Sequence, residues 1–187
     1  METRTIFSKL ETREEEGRPP IVEGHFAVFD VETEIAPRVF ERIARGAFDE
    51  ALKDDVRALV NHDSTLVLGR NRAGTVELAI DGKGLFGRIH INRLDSDAMN
   101  LFQRVRRGDV TQCSVGFDIL DKDSDYRADG SVHFVLRKLK LYEISPCTFP
   151  AYPDTGIEAR AAEAARIRDR AFELWRENQK RRIEKWR

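Results

Sequence analysis

The hydrophobic pattern of this chain specifies an α+β protein: a mostly antiparallel, barrel-like β body with surrounding helices, plus a C-terminal helix. Short apolar runs of strand length recur between turn signals from Ile21 to Thr148. One stretch, Ala98 to Val105, has helical spacing, with Asp95 before it and Gly108 after it. From Glu158 onward strong helix formers continue without proline or glycine.

In chain order, residues 1–20 are polar and charged, with Glu14-Glu15-Glu16-Gly17 and then Pro19-Pro20, the composition of a flexible leader. Ile21 to Phe29 is expected as the first strand. Ala47, Phe48, Ala51 and Leu52 fall at helical spacing and predict a short helix over 45–52. Val56 to Val60 is a buried strand that ends at His62. Thr75 to Ile80 and Leu85 to Ile91 alternate, and Asp81-Gly82-Lys83-Gly84 between them predicts a hairpin whose glycines take positive φ. Asp95-Ser96-Asp97 caps a helix to Arg107 that turns Ala98, Leu101, Phe102 and Val105 inward. A strand follows from Val110 to about Leu120, then a turn or mobile loop from Asp121 to Gly130. Val132 to Leu136 and Leu139 to Thr148 are two further strands. Pro150-Ala151-Tyr152-Pro153 opens a linker, and residues 156–187 carry a basic helix separate from the core, with Ala161, Ala164, Phe172, Trp175, Ile183 and Trp186 roughly on one side. The body is thus residues 21–155, and the tail is expected to be dispensable for its fold.

A chain of 187 residues with 41% hydrophobic content can bury a sizeable core. No apolar run approaches the roughly 20 residues that span a bilayer, and Met1-Glu2-Thr3-Arg4 carries no apolar signal core, so a cytosolic location and no membrane partner are expected. The formal net charge of -1 argues against nucleic acid as the main partner, although residues 158–187 hold ten Lys/Arg against six Asp/Glu. Cys113 and Cys147 stand in no metal-binding spacing and are expected as reduced thiols; no metal or organic cofactor is implied.

The residues with chemical potential are His62, in Asn61-His62-Asp63, and Ser114, in Cys113-Ser114-Val115-Gly116-Phe117, 52 residues further on. A serine hydroxyl becomes a nucleophile when a base takes its proton, and an imidazole suits that task, so hydrolysis is the first hypothesis. Each residue also has a plain structural reading: His62 completing a hydrogen-bond network, Gly116 marking a bulge. Cys113 is a rival nucleophile, but alternation along a strand turns it away from the face of Ser114.

Five blocks in order resemble a known family. Gly24-His25-Phe26-Ala27-Val28-Phe29, Ala44-Arg45-Gly46-Ala47-Phe48, Asn61-His62-Asp63, Ser114-Val115-Gly116-Phe117, and Tyr142-Glu143-Ile144-Ser145 with Phe149-Pro150-Ala151-Tyr152 are similar to the prohead maturation proteases of tailed bacteriophages. The resemblance covers about residues 21 to 155; Val60, Asn61 and Val115 are mild departures from the family pattern. It implies an assemblin-like fold and a serine endopeptidase that cleaves scaffold and major capsid protein segments, and then itself, inside a portal-containing procapsid in the host cytoplasm. It implies Ser114 as nucleophile, His62 as general base, Glu143 as the orienting carboxylate with Asp63 and Asp118 as alternatives, an oxyanion hole near residues 150–152, and a homo-oligomer. The rival of another class is a catalytically silent scaffold or capsid-assembly protein that binds through Phe172, Trp175 and Trp186.

Overall fold

The computed structural model describes residues 1–6, 9–149 and 154–184. In chain order the strands are β1 (Glu2–Ile6), β2 (Glu11–Arg13), β3 (Ile21–Val28), β4 (Thr33–Ala36), β5 (Val39–Ile43), β6 (Arg57–Val60), β7 (Asp63–Arg70), β8 (Val76–Ile80) and β9 (Gly84–His90). Helix α1 (Ser96–Arg107) follows, then the long strands β10 (Gln112–Tyr126) and β11 (Val132–Cys147), and helix α2 (Asp154–Glu184). The barrel-like body expected from the sequence is two sheets that do not close into a barrel among the described residues: seven strands ordered β1-β10-β11-β5-β4 with β6 and β7 branching from β11, and four ordered β2-β3-β9-β8. Pairing is mostly antiparallel, as the alternating runs predict. The exceptions are β5 and β6, which both run parallel to β11.

The main core lies between the sheets, where Val22, Phe26, Leu85 and Ile89 of the smaller meet Val115, Phe117 and Ile144 of the larger. Helix α1 adds Ala98, Leu101, Phe102 and Val105 to it, and starts as its sequence directs, with the Asp95 carboxylate accepting from the N–H groups of Asp97 and Ala98. Gly108, at φ 89°, ends it.

Several expectations are corrected. The leader is not uniformly loose: β2 pairs with β3, and β1 pairs with β10, where Glu2 and Arg4, which composition marks as solvated, have oppositely charged partners in Arg160 and Glu41. The 45–52 helix is a run of tight turns ending in a 3-10 turn, with Ala47 N bonded to Ala44 O, Asp49 N to Gly46 O and Ala51 N to Phe48 O. Gly46 at φ 85° lies outside helical space, although Ala47, Phe48 and Ala51 are buried as their spacing requires. The 81–84 hairpin forms by other means. The Asp81 carboxylate accepts from the N–H groups of Lys83 and Gly84, and Gly84 is required because a Cβ there would lie 1.9 Å from the Ala27 carbonyl oxygen. Residues 121–126 continue β10 rather than forming a loop, paired to β11 and supported by an Arg137–Asp123 ion pair at 2.6 Å. The two late strands are one, bent by bulges.

The tail helix is also not separate. Ala164 packs with Val39, Val132 and Phe134 in a second small core, and Arg160 is buried beside Glu41, its Nε 3.0 Å from Oε2, and beside Glu2. Glu41 also pairs with Arg4 at 2.5 Å, and burial still pushes its carboxyl above the usual carboxylate range. Removing residues 158–187 is therefore expected to cost on the order of 3 kcal/mol through the broken buried pair. Calorimetry should then show a fall in Tm of roughly 10 °C; an unchanged transition would restore the independent tail. Further along α2, Phe172 and Trp175 stack at 5.8 Å and are 60% and 56% exposed. The side chain of Ile183 and the whole of Trp186 lie outside the described residues.

Candidate active site

Strands β6 and β7 are joined by only two residues, Asn61 and His62, with Val60 opposite Asp63. Both take left-handed backbone conformations, φ 51° and 63°, as a two-residue type I′ turn demands. Asparagine accepts that geometry readily. Histidine does so at a cost on the order of 1 kcal/mol, strain of the kind held at functional positions. The tip is fastened to the end of β11: Asn61 N donates to Pro146 O at 3.1 Å, Thr148 N donates to Asn61 Oδ1 at 2.8 Å, and His62 N donates to Ser145 Oγ at 3.2 Å.

This placement sets the imidazole against Glu143, with 2.6 Å between His62 Nδ1 and Glu143 Oε1. A carboxylate accepts, so the contact suits the Nδ1–H tautomer of the ring, in whose neutral form Nε2 is the acceptor nitrogen. Ser145 donates to the other carboxylate oxygen at 2.5 Å. Its single oxygen thus fixes both the carboxylate and the backbone that carries the imidazole. Gly116 has a steric role in the same arrangement: a Cβ there would lie 2.3 Å from Glu143 Oε1.

Ser114 stands directly across from Ser145 in the β10–β11 ladder, as Gly116 does from Glu143. Paired residues of antiparallel strands share a face, so Ser114, Glu143, Ser145 and Cys147 line the one on which His62 docks. Ser114 is 0% exposed, and its hydroxyl donates to the carbonyl of Arg4 in β1 at 2.8 Å. Cys113 points the other way, as alternation requires. Its thiol contacts the His25 carbonyl at 2.9 Å rather than the His62 imidazole, and burial pushes it up to about 12. The alternative carboxylates are engaged elsewhere: Asp63 accepts from Thr65 and Asp118 from the Tyr142 hydroxyl at 2.8 Å. Residues 150–152, where the oxyanion hole was expected, lie outside the described residues.

Two neighbours escaped the sequence reading. Ser145 and Cys147 follow Glu143 at intervals of two, and that period on an uninterrupted strand was the signal that could have found them. Cys147 Sγ lies 3.8 Å from His62 Nε2, but burial, aided by the Glu143 charge, pushes its thiol up to about 12. A second serine, histidine and glutamate also meet: Ser131 Oγ is 2.8 Å from His133 Nε2, and His133 Nδ1 is 2.6 Å from Glu32 Oε1. Here the hydroxyl also lies 2.6 Å from Asp129 in the β10–β11 turn, and the ring stacks on Phe40 at 4.7 Å, so the group closes a turn.

The family model described as caudovirus prohead serine protease matches residues 8–170. The chain belongs to that family. The prohead protease of Enterobacteria phage HK97 is 32% identical over 151 residues, a match spanning 77% of this chain and 61% of that protein. No solved structure matches the chain. In this member of the prohead serine protease family the Ser-Val-Gly-Phe and Tyr-Glu-Ile-Ser blocks lie side by side in the sheet.

The role of Ser145 can be measured directly. Ser145→Ala is expected to lower kcat/KM by about tenfold, the worth of one hydrogen bond to a charged group, and to shift the pH profile, while Ser145→Thr restores both. Equal loss in the alanine and threonine variants would reduce Ser145 to a packing residue.

Proposed function

We propose that this chain is a prohead serine endopeptidase that hydrolyses peptide bonds in capsid and scaffold protein segments, and in its own chain, within the assembling procapsid. The observation that carries the reading is the 2.6 Å contact of His62 Nδ1 with Glu143, a residue on the same strand face as Ser114, in a family of serine proteases. In this mechanism Ser114 Oγ attacks the substrate carbonyl carbon as its proton passes to His62 Nε2. The imidazolium, stabilised by Glu143, protonates the leaving amine. A water activated by the same imidazole then hydrolyses the acyl-serine. This chemistry requires no metal or organic cofactor.

The proximity of Cys147 to Nε2 favours a second reading, a cysteine hydrolase at that thiol rather than at Cys113. The exposed Phe172–Trp175 pair favours the silent binding protein. One experiment separates all three. A fluorophosphonate reagent is expected to phosphonylate Ser114 with loss of fluoride, as read by peptide mass, and equally in Cys147→Ala and Ser131→Ala. Modification of Cys147 with loss of turnover would install the thiol. Co-assembly with capsid protein without any labelling or turnover would leave the binder.

A further inference from the structure

A nucleophile with no exposed surface cannot meet a peptide bond, so what covers Ser114 matters. Strand β1 pairs with β10 from Glu2 opposite Phe117 to Ile6 opposite Cys113, which places Thr5 beside Ser114. The Ser114 hydroxyl has one proton, and it is directed at the Arg4 carbonyl rather than at His62. Strand β1 is the last strand on its side of the sheet. Without it, residues 113–117 would present an unpaired row of N–H and C=O groups, the template to which an extended peptide adds as a further strand.

Strand β1 is also held by charge. Arg4 reaches Glu41 at 2.5 Å and Glu2 at 3.0 Å, and Arg160 of α2 pairs with the same two carboxylates, so four charges join β1, β5 and α2 at a site where Glu41 and Arg160 are buried. The family match begins at residue 8, after β1.

Resting on the reading of Ser114 as nucleophile, we propose that the β10 edge at residues 113–117 is the acceptor site for an extended peptide substrate, and that Glu2–Ile6 fill it from within the same molecule, clamped by Arg160. The ligand class is a peptide strand recognised chiefly through its backbone. The chain as folded is then a closed form: β1 must leave the edge before a substrate strand can enter, and its departure also frees the Ser114 proton for His62.

The test measures fluorophosphonate labelling of Ser114 in the full-length chain. Arg160→Ala removes the clamp. Thr3→Pro with Arg4→Pro removes consecutive N–H groups, which point to opposite sides of a strand, so one of the two must leave the ladder. Melting curves identify the folded variants, and either one suffices. Labelling is expected to accelerate by about tenfold or more, the effect of weakening the closed form by some 1.4 kcal/mol. A synthetic peptide of residues 1–8 should slow the proline variant again, and its scrambled version should not. Labelling of Ser114 in folded variants at the wild-type rate or slower would overturn the clamp while leaving the nucleophile in place. Absence of Ser114 labelling in every folded variant, with turnover intact, would instead remove the nucleophile.

Discussion

Ser114→Ala and His62→Ala are each expected to abolish cleavage of capsid-assembly proteins and of the chain itself, lowering turnover by roughly six orders of magnitude as in other serine hydrolases that lose either partner. In the proposed mechanism the two side chains share one proton-transfer path, so the double variant should be no slower than either single one. Position 62 needs a control because its φ of 63° is adverse for alanine as well as histidine. His62→Asn keeps a residue that tolerates this conformation while removing the base, and should be as inactive as His62→Ala with a higher melting temperature. Self-processing at the wild-type rate by folded Ser114→Ala, in a preparation free of other proteases, would sink the assignment.

The second large effect is expected at Glu143. Glu143→Gln should preserve the fold, since Ser145 can still bond the amide oxygen, yet lower kcat by two to four orders of magnitude with KM little changed. An amide facing Nδ1 can donate to it and favour the tautomer with the proton on Nε2, which cannot then accept from Ser114. The pH profile of the residual activity should move with the loss of the carboxylate charge. Wild-type turnover in this variant would transfer the role to Asp118 and then Asp63, although both carboxylates are engaged by Tyr142 and Thr65 respectively.

What could be read from the residues was what depends on local period. The β8–β9 hairpin, helix α1 with its Asp95 cap, and the turning of Cys113 away from Ser114 all follow from patterns within about a dozen positions. The elements that eluded such a reading depend on partners far along the chain. Glu2 and Arg4 appear in the sequence as ordinary surface charges, and only Glu41 and Arg160 make them internal. The polar run Asp121 to Tyr126 is a strand because β11 pairs with it, against its own composition. At the candidate site, the sequence blocks named His62, Ser114 and Glu143, and the structure brings the first and last of these to 2.6 Å of each other. The type I′ turn at Asn61-His62 and the space that Gly116 leaves for the carboxylate are properties of three-dimensional approach, which no residue type states by itself.

The clamp joining β1 to α2 also orders events in time. The His62–Glu143 contact spans 81 residues, the Ser114–Arg4 contact 110, and the Arg160–Glu2 contact 158. Doubling a loop adds only about 0.6 kcal/mol to its closure, so thermodynamics barely separates these steps, but vectorial synthesis does. A ribosome has delivered His62, Ser114, Glu143 and Cys147 before it reaches Arg160, without which the four-charge clamp cannot form. The nascent chain therefore carries the proposed catalytic groups before it carries the last charge of the clamp.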